Sequence, residues 1–239
     1  MSRVLILISF SLFAFGIFGQ KQKTQNYRKF DQKLIHFGCL LGGNMADFGM
    51  SVVPDAYNKY QLISLENGAQ PGGQIGIMST MKLGTPMLRL RFVPSLSFQE
   101  RSLKYYSVSE DPQSDKDAFN EERINSTNID FPFLLQYRTL RYNNFAAYAI
   151  GGIQYTLDLQ SSEDSNQSLI DPFVKIKKTD WQAQAGVGVE FFAVFFKFGM
   201  EIKYSHGFNN VLIQDYTPVS LPLDHLKNRV WTFSLIFEG

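Results

Sequence analysis

The chain of 239 residues holds one cysteine, Cys39. A lone thiol excludes an internal disulfide, a CxxC redox pair and a cysteine-built zinc cluster. Charge is also scarce, at 19% of residues, and the formal net charge is only +1. A nucleic-acid binder needs a clustered basic excess, so no nucleic-acid partner is expected. Beyond residue 19 no stretch reaches the ~20 consecutive apolar residues that a membrane helix requires. A membrane-spanning reading therefore leaves only a closed barrel, the other structure that satisfies every backbone polar group in lipid.

Aromatic residues, by contrast, are plentiful: 22 Phe and 11 Tyr bring the aromatic share to 15%. A lipid-facing wall with girdles of rings at both interfaces uses such a composition. The length suits one large domain and is too short for two comfortable ones.

The first residues have the form of a secretory signal. Met1-Ser2-Arg3 is a short positive start, Val4 to Phe18 is an apolar run, and Gly19-Gln20 is a plausible cleavage point. That run is too short for a comfortable membrane helix, and polar residues follow at once. The expected organisation is a signal peptide over 1–19, a periplasmic N-terminal arm over 20–33 and a β-barrel over 34–239.

Period-two alternation carries the fold assignment. Over Leu88 to Phe98, apolar Leu88, Leu90, Phe92, Leu96 and Phe98 interleave with Arg89, Arg91, Ser95 and Ser97. Trp181 to Phe191, Phe196 to Ser205 and Trp231 to Glu238 alternate as cleanly. Four further segments are predicted as strands: Leu34 to Gly42, Gly73 to Leu83, Ile129 to Arg138 and Phe145 to Leu159. In these, Leu40, Met78, Leu134 and Ile150 interrupt the polar face.

The connections then run alternately long and short: 51–72, 84–86, 108–123, 139–144, 160–179, 192–195 and 210–228. Short periplasmic turns and longer external loops are the habit of outer-membrane barrels. The expected fold is an all-β, eight-stranded antiparallel up-and-down transmembrane barrel with both termini periplasmic, placed in the outer membrane. The competing architecture is a soluble up-and-down barrel such as a lipocalin, with apolar residues inside. It would have to crowd Phe and Trp rings into a narrow eight-strand interior and leaves the aromatic strand ends unexplained.

On the polar face the lumen collects Arg89, Arg91, Asp130, Arg138, Glu190, Lys197, Glu201 and Lys203. An eight-strand interior is just wide enough for side chains to fill, and buried charges must pair. Arg89, Arg91, Asp130, Glu190, Glu201 and Lys203 are therefore expected to form a structural ion-pair network that plugs the lumen, and no diffusion channel is expected.

Other constellations are weaker. Ser205-His206, with Glu201 as an orienting acid, has the residue types of a lipid-modifying hydrolase. Adjacent strand residues point to opposite faces, however, which argues against that partnership. Asp111, Asp115, Asp117 and Glu122 fit a calcium-loop template at four positions, yet Lys116 takes the place of the turn glycine. Asn125-Ser126-Thr127 and Asn166-Gln167-Ser168 match only a short glycosylation pattern. No enzyme activity, cofactor, metal or small-molecule substrate is expected. The arm 20–33 carries Lys21, Lys23, Arg28, Lys29 and Lys33 against a lone Asp31, and reads as a flexible tether, or else as a docking segment for an acidic partner.

Several stretches resemble a known family. Phe30-Asp31, Lys33 and His36-Phe37-Gly38, followed by LGGNMADFGM (41–50), are similar to the opening of the PorT (SprT) outer-membrane proteins of Bacteroidetes. PGGQIGIMSTMKLG (71–84), LRLRFVPSLSFQERSLKYY (88–106), IDFPFLLQYR (129–138) and GMEIKYSHGFNN (199–210) continue the resemblance in order. It implies a component of the type IX secretion system, which also supports gliding motility in some of these bacteria, and it brings no catalytic residues. The expected partners are outer-membrane lipid and other proteins of that machinery. A small porin-like or adhesin-like barrel unrelated to secretion is the alternative.

Overall fold

The computed structural model describes residues 25–107, 118–161, 163 and 173–239. The expected signal peptide lies outside them. Among the described residues eleven strands follow in chain order: β1 (Ile35–Val52), β2 (Leu62–Lys82), β3 (Leu88–Phe92), β4 (Ser95–Ser107), β5 (Ala118–Arg138), β6 (Phe145–Asp158), β7 (Lys175–Ile176), β8 (Thr179–Phe192), β9 (Lys197–Gly207), β10 (Leu212–Ile213) and β11 (Leu223–Glu238). All pairings are antiparallel, each barrel strand beside its sequence neighbour, and β1 closes the ring against β2 and β11. Strands β3 and β4 act as one stave interrupted at Val93-Pro94, so the ring has eight staves.

That interruption has a local cause. Pro94 has no N–H to give the ladder, while its carbonyl accepts from the Ile77 N–H at 3.1 Å. Alternation carries through the gap: Arg89, Arg91, Ser95 and Ser97 stay buried inside, and Phe98 stays outside.

Connections 83–87, 139–144 and 193–196 close one end, which also holds the start of β1 and the end of β11. Gly84 (φ 70°) and Asn143 (φ 53°) supply the left-handed residues in two of these turns, the conformation that Gly and Asn tolerate best.

Outside, the wall is apolar. Phe37, Ile75, Ile77, Val187 and Trp231 are all more than half exposed. Rings gather at two levels, with Tyr155 against Trp181 (centroids 5.1 Å) and Tyr204 against Trp231 (4.9 Å) in one. The other holds Phe145 against Phe191 (5.4 Å) and Phe198 against Phe237 (5.3 Å). At ordinary strand rise and barrel tilt, Trp181 to Phe191 spans about 25 Å along the axis, the height of a hydrocarbon band.

The strands run further toward the long-loop end than the alternation suggests. Connections expected over 51–72 and 210–228 contain strand up to Val52, from Leu62, and from Leu223. The polarity reverses there. Inward positions become apolar, with Phe48, Leu65, Leu103, Tyr105, Ile124, Leu223 and Leu226 forming one buried core. On the outside, exposed Arg123 pairs with Glu100 at 3.5 Å and with Glu121 at 3.1 Å. An apolar-out search fails on such segments because they keep the strand period and invert its sign.

A lid completes this core. β7 and β10 pair with each other across the mouth and bring Val174, Ile176, Val211 and Leu212 down onto it. Tyr105 donates its hydroxyl to the Val219 carbonyl at 2.7 Å, tying the lid to β4.

Candidate functional site

Beneath the lid the interior is polar and filled. Leu40 and Met78 sit inside with Val93 and Ile236, while Leu134 and Ile150 pack with Tyr148. These residues, which interrupt the polar face in the sequence, form two small apolar spacers within it.

The centre of the lumen is Arg91. Its Nη1 lies 2.6 Å from Glu201 Oε2, and its Nη2 donates to Gln136 Oε1 at 3.0 Å. Nη2 also lies 4.0 Å from Glu190 and 3.9 Å from Glu238. Tyr148 donates its hydroxyl to the same Glu201 oxygen at 2.7 Å, with the guanidinium 5.1 Å above its ring. Lys203 holds the other Glu201 oxygen at 3.5 Å. Lys197 bridges Glu190, at 2.8 Å, and Glu238. Arg138 reaches Glu190 at 3.4 Å. Most of these charged side chains are about 1% exposed, so no water column runs past them.

Arg91, Glu190, Glu201 and Lys203 thus stand in one cluster. Arg89 lies at its edge and meets Asp31 at 3.2 Å. Asp130 stands apart: it accepts from Gln154 at 2.9 Å and from Thr156 at 2.8 Å, with no cation in ion-pair contact among the described residues. Higher still, Arg101 donates to Gln99 and to Ser126, and lies over the Phe48 ring at 5.0 Å.

Residues 25–34 form the floor at the short-turn end. The tether expected over the arm is corrected for this part of it, because Phe30 is fully buried. Its ring stacks on His36 at 3.7 Å and meets Phe192 edge-on at 5.6 Å. Asp31 accepts from Arg138 at 2.6 Å and from Arg89 at 3.2 Å, with Arg141 at 3.6 Å. The one acidic residue of this basic arm thus meets the cations of the barrel mouth, while Lys33 is exposed. Asp31, Glu238 and Arg141 are the network residues that sequence reasoning missed, and Arg101 is a further buried cation that it missed. Glu238 and Arg101 continue the inward parity of their strands and could have been found that way; nothing local marks Asp31.

The weaker constellations do not assemble. Ser205 faces the lumen and accepts from Gln184 at 2.8 Å, whereas His206 is on the outer face, its ring 6.3 Å from Tyr204. Of the calcium-loop residues, Asp111, Asp115 and Asp117 lie outside the described residues, and Glu122 accepts from the Val174 N–H at 3.3 Å. Among the described residues no cluster of His, Cys, Asp and Glu could hold a metal.

A closed ring, an apolar band bounded by aromatic girdles and a charged, filled interior make one pattern. Residues 18–212 match the family described as outer membrane protein beta-barrel domain. The chain belongs to that family. Its place is therefore the outer membrane, with the short-turn end periplasmic and the lid external. This outer-membrane barrel is similar in outline to OprG of Pseudomonas aeruginosa, at 15% identity over 87% of this chain and 97% of that one, with a TM-score of 0.46. Neisserial surface protein A gives 10% identity over 84% and 95%, with a TM-score of 0.40. The N-terminal barrel domain of Pseudomonas aeruginosa OprF gives 9% over 84% and 97%, at 0.36. No protein of curated function matches the chain in sequence.

Proposed function

We propose that this barrel is a non-enzymatic component of the type IX protein secretion machinery, and of gliding where that machinery supports it. It acts in assembly or structural support through contacts with other proteins of the machine. The resemblance of its strand and turn segments to PorT proteins supports the assignment to that machine. The observation that carries the mode of action is the filled lumen. With the interior closed by ion pairs, lid and floor, the surfaces left to act are the wall, the external loops and the periplasmic end. A porin-like role would need the interior that these side chains occupy.

Deletion of the gene, followed by an assay of type IX cargo in the medium, tests this reading. Cargo should accumulate inside the cell, and a point-mutant barrel that still folds should restore export. Undiminished export from the deletion strain would refute the proposal.

A further inference from the structure

Phe30 and Asp31 occupy the barrel floor as a ligand occupies a pocket. They belong to no strand: a single turn, Arg28–Asp31, carries them, and Gln32, Lys33 and Leu34 beyond it are exposed. Apart from Tyr27 of the arm itself, whose ring lies 5.4 Å from that of Phe30, the walls of the Phe30 slot come from the barrel. His36 stacks on one face, Phe192 meets an edge, and the cations of Arg89 and Lys197 lie 5.1 Å and 4.8 Å from the ring centroid. A slot of this kind selects an aromatic ring, because cations favour the electron-rich face.

The carboxylate position is as selective. Asp31 is the only carboxylate in ion-pair contact with Arg89 among the described residues, and the Arg89 Nε and Nη1 find no acceptor. The network as described joins six cations (Arg89, Arg91, Arg138, Arg141, Lys197 and Lys203) to four carboxylates, Asp31, Glu190, Glu201 and Glu238. If the arm leaves, Arg89 loses its ion-pair partner and the aromatic ring that covers it, which opens a cationic position to a replacement anion of the right shape. Asp31 itself remains 28% exposed, so a competitor can approach it from the periplasm.

We infer that the periplasmic floor is a peptide-binding site that the chain fills with its own Phe30-Asp31. In trans it takes a peptide segment that forms such a turn, with an aromatic residue followed by a carboxylate. The arm is then a cis-acting plug, displaced when a partner presents the same pair. The inference holds whichever machine the barrel serves.

The test uses the full chain in detergent micelles and a fluorescent peptide with the sequence of residues 25–34, QNYRKFDQKL. The Phe30→Ala/Asp31→Asn variant, whose own plug is weakened, should bind this peptide saturably and at least tenfold more tightly than the unaltered chain. Peptides carrying Ala for the Phe, or Asn for the Asp, should bind that variant at least tenfold more weakly. Failure of the folded variant to bind, or equal binding of a scrambled peptide, would overturn the site. Should the variant not fold, a fluorophore at Gln32→Cys in a Cys39→Ser background gives a second reading. Excess unlabelled peptide should shift its emission as the arm is displaced, and no shift at millimolar peptide would equally overturn the proposal.

Discussion

Arg91 and Glu201 meet at 2.6 Å across the barrel axis, from strands β3 and β9, which are not neighbours in the sheet. Their contact ties opposite walls together through the lumen. Removing Glu201 leaves Arg91 with only the more distant Glu190 and Glu238 and takes from Lys203 its carboxylate, and breaking a buried pair costs about 3–5 kcal/mol. Glu201→Gln should therefore lower the urea midpoint for unfolding from lipid vesicles. The double variant Arg91→Met/Glu201→Met should lose less than the sum of the two single changes. Additive losses would show that the pair is not coupled.

Glycines in β6 and β8 differ sharply in what a methyl group would meet. A Cβ on Gly152 would lie 2.0 Å from the Phe133 carbonyl oxygen, and one on Gly188 would lie 2.4 Å from the Tyr148 hydroxyl. On Gly151 the nearest atom is 3.8 Å away. Gly152→Ala and Gly188→Ala should destabilise by about 1–3 kcal/mol through overpacking. Gly151→Ala should change stability by less than about 0.5 kcal/mol, as an uncrowded surface change does. Heat-modifiable migration of folded barrel on gels would rank the three.

The apolar band can be located by substitution along one strand face. Leu41 and Ser51 both lie on the outer face of β1, Leu41 within the band and Ser51 beyond it. Leu41→Arg should cost about 2–4 kcal/mol on folding into bilayers, whereas Ser51→Arg should cost about 0–1 kcal/mol. Equal costs would move the membrane boundary.

Conductance tests the filled lumen. The barrel reconstituted into a planar bilayer should show no stable ohmic steps, because Arg91, Glu190, Glu201 and Lys203 occlude the axis. A steady open-channel current from the unaltered chain would contradict that occlusion.

The external lid should behave like the core of a water-soluble domain. Phe48 and Leu223 are buried beneath it, among Leu103, Val211 and Val219. Phe48→Ala should destabilise by about 3–5 kcal/mol and Leu223→Ala by about 2–5 kcal/mol. Faster cleavage by protease added outside whole cells would report the loosened lid.

Much of this arrangement is legible in the sequence because lipid and lumen make opposite demands on neighbouring residues. Trp231, Phe233 and Phe237 face out while Ser234 and Glu238 face in, as their alternation requires. Parity says which face a residue takes; it says nothing about which charge it meets. Asp130 shares the inward parity of Glu201, yet it finds Gln154 and Thr156 rather than a cation. Phe48 and Leu103 escape the pattern because water replaces lipid outside the wall at that level, and the apolar residues turn inward. Asp31 was not legible at all, since its partners Arg89, Arg138 and Arg141 come from β3, the end of β5 and the turn after it.

The lid has a mechanical consequence. Its strands β7 and β10 lie in the β6–β8 and β9–β11 connections, so its buried core can close only once those connections have reached the external face. Phe30 and Asp31 pack the opposite end of the lumen. With side chains packed across it at both rims, the ring of staves is braced against flattening while the arm is seated.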